Sequence, residues 1–183
     1  VASAKRCVDN GVNGGASAVY LHGGWMDFLL AQDRLDEVPD RIRQIHDAGL
    51  PAGVAGHTPA VFDWAEEHLD CDFYMCSYYN PSPRDRSAEQ AKGITENYDD
   101  DDRAVMLERI RTLSKPVIHY KVFAAGRNDP AEALETVAEN LRDSDAVCVG
   151  IFTKDKPDML AEDIRLLTGF LGQTSALPDA SAG

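Results

Sequence analysis

The feature that most constrains this chain is an alternation repeated five times: a short apolar run suited to a strand, then an amphipathic stretch with helical spacing. The runs are Ala18–Leu21, Ala52–Ala55, Phe73–Ser77, Val117–Val122 and Ala146–Phe152. Between them lie Leu35–Ala48, Ala60–Leu69, Arg103–Leu113 and Pro130–Leu141, and Pro157–Phe170 follows the last. Ala2–Gly11 reads as a further helix ahead of the first run, and Trp25–Leu30, after Gly23-Gly24, as a short helix on the rim. Strict alternation dictates a parallel sheet, because parallel neighbours can only be joined by a crossover, and such crossovers are right-handed. An open doubly wound sheet would carry a GxGxxG loop after a strand, and the chain has none. The remaining architecture is a (β/α) barrel.

Helix boundaries agree with this division. Thr58-Pro59 and Asp129-Pro130 each offer a capping side chain followed by proline at the first helical position, and Gly49 follows Ala48 as a stop. A complete eight-unit barrel takes roughly 250 residues, and this chain has 183, starting at Val1. The expectation is therefore a fragment: an α/β chain carrying five C-terminal units of a (β/α)8 barrel, one domain over residues 1–171, with 172–183 as a disordered tail.

Composition narrows the partners. No apolar run approaches the ~20 residues that cross a bilayer. With 31 acidic against 18 basic residues the net charge is −13, which argues against nucleic acid and for a halophile-like acidic surface. The densest acidic run, Asp99–Asp102, suits the first turn of the following helix. Cys7, Cys71, Cys76 and Cys148 show no metal-type pairing, and two fall within strands as small apolar residues, so a reducing, cytoplasmic compartment is expected.

Strand parity gives the site. Alternate residues of a barrel strand face helices and interior, and the helix-facing set should be the more uniformly apolar. Val19 and Leu21 outward leave Tyr20 and His22 inward; Val54 outward leaves Gly53, Ala55 and His57 inward. By the same test Phe73 and Met75 go outward and Tyr74, Cys76, Tyr78 and Asn80 inward. Ile118 and Tyr120 outward leave His119 and Lys121 inward, and Val147, Val149 and Ile151 outward leave Cys148 and Gly150 inward. His22, His57, Asn80 and Lys121 then gather at the C-terminal ends of their strands, where barrel enzymes place their chemistry.

The segments YLHGG (20–24), FYMCSYYNPSPRD (73–85), KPVIHYKVFAAGRNDP (115–130) and CVGIFTKDKPDM (148–159) resemble a family of uncharacterised aldolase-type TIM-barrel proteins, over roughly residues 1–170. The resemblance implies the fold and no established reaction; relative to such barrels about three N-terminal βα units are lacking, making these strands the fourth to eighth.

Three groupings carry candidate chemistry. Lys121, desolvated in a barrel mouth, would have a lowered pKa and act as a nucleophilic amine or as a plain charge for an anion. His119, His22 and Tyr78 would move protons. His22, His57 and His119 could alternatively hold a divalent metal for an isomerase or hydrolase, though no inward carboxylate accompanies them; the first reading needs no cofactor. Gly126 and Arg127 after the fourth strand, with Thr153 and Lys154 after the fifth, could bind phosphate or serve only as turn and surface residues. The connection from Ser77 to about Asp102 is long enough to form a substrate flap, with Tyr78 and Tyr79 stacking on a ligand, or to be an insertion. The expected partner is a small carbonyl substrate, anionic in the phosphorylated version, and the favoured reaction is that of a lyase or aldolase. A fragment without activity is the remaining alternative.

Overall fold

The computed structural model describes residues 4–82, 84–88 and 95–174. In chain order the elements are α1 (Ala4–Asn13), β1 (Val19–Leu21), α2 (Gly23–Ala31), α3 (Val38–Asp47), β2 (Ala52–Gly56), α4 (Pro59–His68), β3 (Phe73–Ser77), α5 (Asp100–Ile110), β4 (Val117–Tyr120), α6 (Pro130–Asn140), β5 (Ala146–Cys148) and α7 (Met159–Thr174). One 3-10 turn, Leu35–Glu37, leads into α3 and another, Ala124–Gly126, follows β4. The five strands form one sheet in the order β1-β2-β3-β4-β5, every neighbouring pair parallel. Sequential parallel strands with helical crossovers are the arrangement of a partial barrel, as expected, with β1 and β5 at its two edges.

Local signals act where the sequence put them. Asp129 Oδ1 accepts from the backbone N–H groups of Ala131 and Glu132 at the start of α6, and Asp99 caps α5 through Asp101 N, with Asp100–Asp102 in its first turn. Thr58 makes no side-chain cap bond, so the start of α4 rests on Pro59. Gly49 ends α3 at φ +77°, which a side chain would make costly. Most boundaries differ from expectation by a few residues, and three of the differences lie around the end of the sheet or the C-terminal helix. β4 stops at Tyr120 because Lys121 adopts φ +60°; β5 stops at Cys148, leaving residues 149–152 in a loop; and α7 runs past Phe170 to Thr174. The rest of the expected tail, 175–183, lies outside the described residues. No described helix is long and apolar enough to cross a membrane.

The register shows which face is which. Tyr20, Gly53 and Phe73 share one face with Met75, Ser77, Ile118, Tyr120 and Cys148; Leu21, Val54, Tyr74, Val117, Cys76 and His119 share the other. The second set is the helix-packed one: Val54, Tyr74, Cys76, Val117 and His119 are all fully buried, and Tyr74 packs on Phe62 and donates to Glu66 of α4. The parity expectation therefore holds for β1, β2 and β5 and is reversed for β3 and β4. In β3 the reversal is steric. Gly53 leaves its face empty, and the Phe73 ring fills the space where a Cβ would stand. Tyr20, on the uncovered face of edge strand β1, is 43% exposed.

Candidate active site

His22, one residue past β1, caps α2 by accepting at Nδ1 from Gly24 N (3.2 Å). One turn further along the helix stands Asp27, an acid in the otherwise apolar stretch GGWMDFLLA. It is buried, and its carboxylate receives His57, the residue just past β2. Oδ1 accepts from His57 N at 3.2 Å and Oδ2 lies 2.5 Å from His57 Nδ1. A carboxylate only accepts, so this contact fixes the Nδ1–H tautomer of neutral His57 and leaves Nε2 with its lone pair free to accept.

Nε2 points at the end of β4. Tyr120 OH lies 3.3 Å from it and Lys121 Nζ 3.2 Å from it. Consecutive strand residues would point to opposite faces. Here Lys121 reaches the same nitrogen as Tyr120 because its left-handed backbone turns the chain. That conformation is costly for a residue with a side chain, and such strain persists where the surroundings impose it. Burial lowers the Lys121 pKa and the Arg84 charge adds to this, while Glu96 and Asp27 oppose it. Burial also pushes the Tyr120 phenol up. His22 is held low, first by partial burial and then by its cationic neighbours, among them Arg84 and Lys121.

The other expected residues fall elsewhere. His119 is fully buried on the helix side, its Nδ1 3.0 Å from Tyr78 OH and its Nε2 3.3 Å from Asp145 Oδ2; it does not lie beneath Lys121 inside the mouth. Tyr78 and Tyr79 are each 1% exposed and packed within the protein, so neither presents a ring for stacking. Asn80 is half-buried in the connection to α5, its N–H donating to Asp102. Arg127 stacks over Tyr98 at 4.5 Å and donates to Ala124 O, while Thr153 and Lys154 are exposed in the loop after β5. His22 and His57 are neighbours but His119 is not with them; among the described residues no group of three or more His, Cys, Asp or Glu side chains is placed to hold a metal.

A cavity of about 800 Å3 opens beside Tyr120 and Lys121, between β4 and the loop after β5. Gly126 lines it, but its walls are otherwise mainly apolar, with Phe123, Ile151, Phe152 and Met159 prominent. The connection after β3 reaches over the opposite side: Asp85 O accepts from Gln32, the residue just past α2, and Ala88 O crowds Gly24. The part of that connection at 83 and 89–94 lies outside the described residues.

Sequence reading missed Asp27, Tyr120 and Arg84. The signal for Asp27 was present, since a lone carboxylate on an apolar helix five residues after His22 needs a buried partner. Tyr120 was assigned to the wrong face with the rest of β4.

No family model and no curated protein matches the chain. Among solved structures it is similar to the "Putative aldo-keto reductase from Pseudomona aeruginosa" at 17% identity and TM-score 0.57, covering 92% of this chain and 58% of that one. A second structure, also described as a "putative aldo-keto reductase from Pseudomona aeruginosa", aligns at 18% identity and TM-score 0.58, over 92% and 57%. The chain thus spans less than two thirds of the length of either. At this identity the likeness establishes the fold, a TIM-barrel type; it does not show an aldolase family.

Proposed function

We propose that the protein is an enzyme acting on a small carbonyl compound at the C-terminal mouth of the sheet, with Lys121 as the amine that meets the carbonyl carbon. The observation that supports this reading is the contact of Lys121 Nζ with His57 Nε2, backed by the buried Asp27. A desolvated amine gives up its proton more readily, and His57 Nε2 is placed to take it. Addition of the neutral amine to the carbonyl gives a carbinolamine. Tyr120 OH, on the same nitrogen, supplies the proton with which the hydroxyl leaves as water, closing an imine. An imine is the electron sink that lyases and aldolases use for carbon–carbon cleavage, so that reaction class is the finer form of the proposal. Borohydride trapping with a panel of small aldehydes and ketones tests it: mass spectrometry should find a secondary amine at Lys121, absent in Lys121→Met. Trapping at other lysines alone, or none, rejects it.

A second reading is favoured by the approach of both Tyr120 OH and Lys121 Nζ to His57 Nε2 and by the reductase name of the structural neighbours. The two donors would then hold a carbonyl oxygen and supply its proton, and a dihydronicotinamide, when bound, would supply the hydride. Oxidation of that reductant by the same carbonyls, with no trapped adduct, would select it.

A further inference from the structure

Arg84, in the connection after β3, is not used by the chemistry above. Its Nε is buried and has no hydrogen-bond partner, and its Nη1 donates to Ser82 Oγ at 3.3 Å. Among the described residues no carboxylate forms an ion pair with it. A buried donor left unmatched is destabilising, so such atoms mark a strained site or a site for a ligand.

Its position identifies the ligand. A Cβ built on Gly24 would stand 3.3 Å from Arg84 Nε and 3.4 Å from His22 Cε1; one built on Gly23 would stand 3.2 Å from Tyr120 OH and 3.0 Å from His57 Cε1. Two adjacent glycines thus let Arg84, His22 and Ala88 O on one side and His57 and Tyr120 on the other pack closely on the start of α2, which sets the guanidinium near the reactive group. We propose that Arg84, assisted by His22, binds a carboxylate, so that the carbonyl compound taken by this site is an oxo acid whose remaining substituent enters the apolar cavity. The inference rests on the carbonyl reading for the second half of that statement. A guanidinium presents parallel N–H groups matched to the two oxygens of a carboxylate. The alternative anion site at Arg127 and Lys154 has no such vacancy, because Arg127 is taken up by Tyr98 and Ala124 O.

The test compares pyruvate and 2-oxobutyrate with butanone, which lacks the carboxylate, by calorimetric titration and by borohydride trapping, on the wild type, Arg84→Gln and Arg84→Lys. The wild type should prefer the acids. In Arg84→Gln the ratio of acid to ketone affinity should fall about tenfold or more, with Arg84→Lys between the two; circular dichroism confirms that each variant folds. Equal affinity for acid and ketone in the wild type, or an unchanged ratio in Arg84→Gln, overturns the carboxylate site. Arg84-dependent binding of the acids with no adduct from any carbonyl keeps that site and rejects imine chemistry at Lys121, so the two failures are separable.

Discussion

The sheet carries the same three side-chain types twice, once on each face. On the uncovered face Asp27 holds His57, which meets Tyr120; on the helix-packed face Asp145 holds His119, which meets Tyr78. The second set is closed. Both ring nitrogens of His119 are partnered, and the Asp145 carboxylate, fully buried, also accepts from Val117 N, Arg142 N and the Arg142 guanidinium, which reaches the carbonyls of Leu113 and Lys115. It ties β4, β5 and the loops before them into one unit. The first set is open: Nε2 of His57 serves two donors at once, one on a strained backbone, beside a cavity. A histidine between a carboxylate and a tyrosine is thus no mark of catalysis by itself. What separates the two is whether valence is left over at a place a ligand can reach.

The largest expected contrast is between the ends of these sets. Asp145→Ala should cost about 3–5 kcal/mol in urea denaturation, because it strands the Arg142 guanidinium, His119 and two backbone donors. Lys121→Met should cost less than about 1 kcal/mol and yet abolish the borohydride adduct. Near-equal stability losses for the two would erase the distinction drawn here.

The tyrosines sharpen it at a smaller scale. Tyr78→Phe leaves His119 Nδ1 without a partner in a dry site and should destabilise by about 1–2 kcal/mol. Tyr120 is itself half-buried at the open mouth, so Tyr120→Phe should stay within about 0.5 kcal/mol of wild type while slowing adduct formation. A reversal of these two melting shifts would mean that the open set is the structural one.

The smallest effect is in pH. Burial lowers the His119 pKa from 6.5, with Arg142 adding and Asp145 opposing. A group whose folded value is depressed binds more protons when unfolded, so its contribution is present above pH 6.5 and is lost as pH falls through the lowered folded value. Asp145 extends the same trend to lower pH: burial alone would raise it, but bonds from Arg142, Val117 N and His119 hold it below 3.8. Unfolding midpoints of wild type and His119→Gln should therefore diverge above pH 6.5 and converge below it. A constant difference across that range would remove the titration of His119 from the account.

The alternation of apolar runs and amphipathic stretches determined the strands, their parallel order and the end of the sheet where Lys121 and His57 meet, because strand and helix periods and crossover geometry are properties of local sequence. Caps at Asp129 and Gly49 were legible for the same reason. The face on which each β3 and β4 side chain stands was not. Hydrophobicity alone sent His119 inward and Tyr120 outward, since an isolated imidazole is the poorer group to bury beside helices. The tertiary structure decided otherwise by bringing Asp145 from 26 residues away and Tyr78 from 41 residues away to satisfy both of its nitrogens. The cost of burying a polar group depends on its partners, and partners supplied by distant segments exist only once the chain is folded.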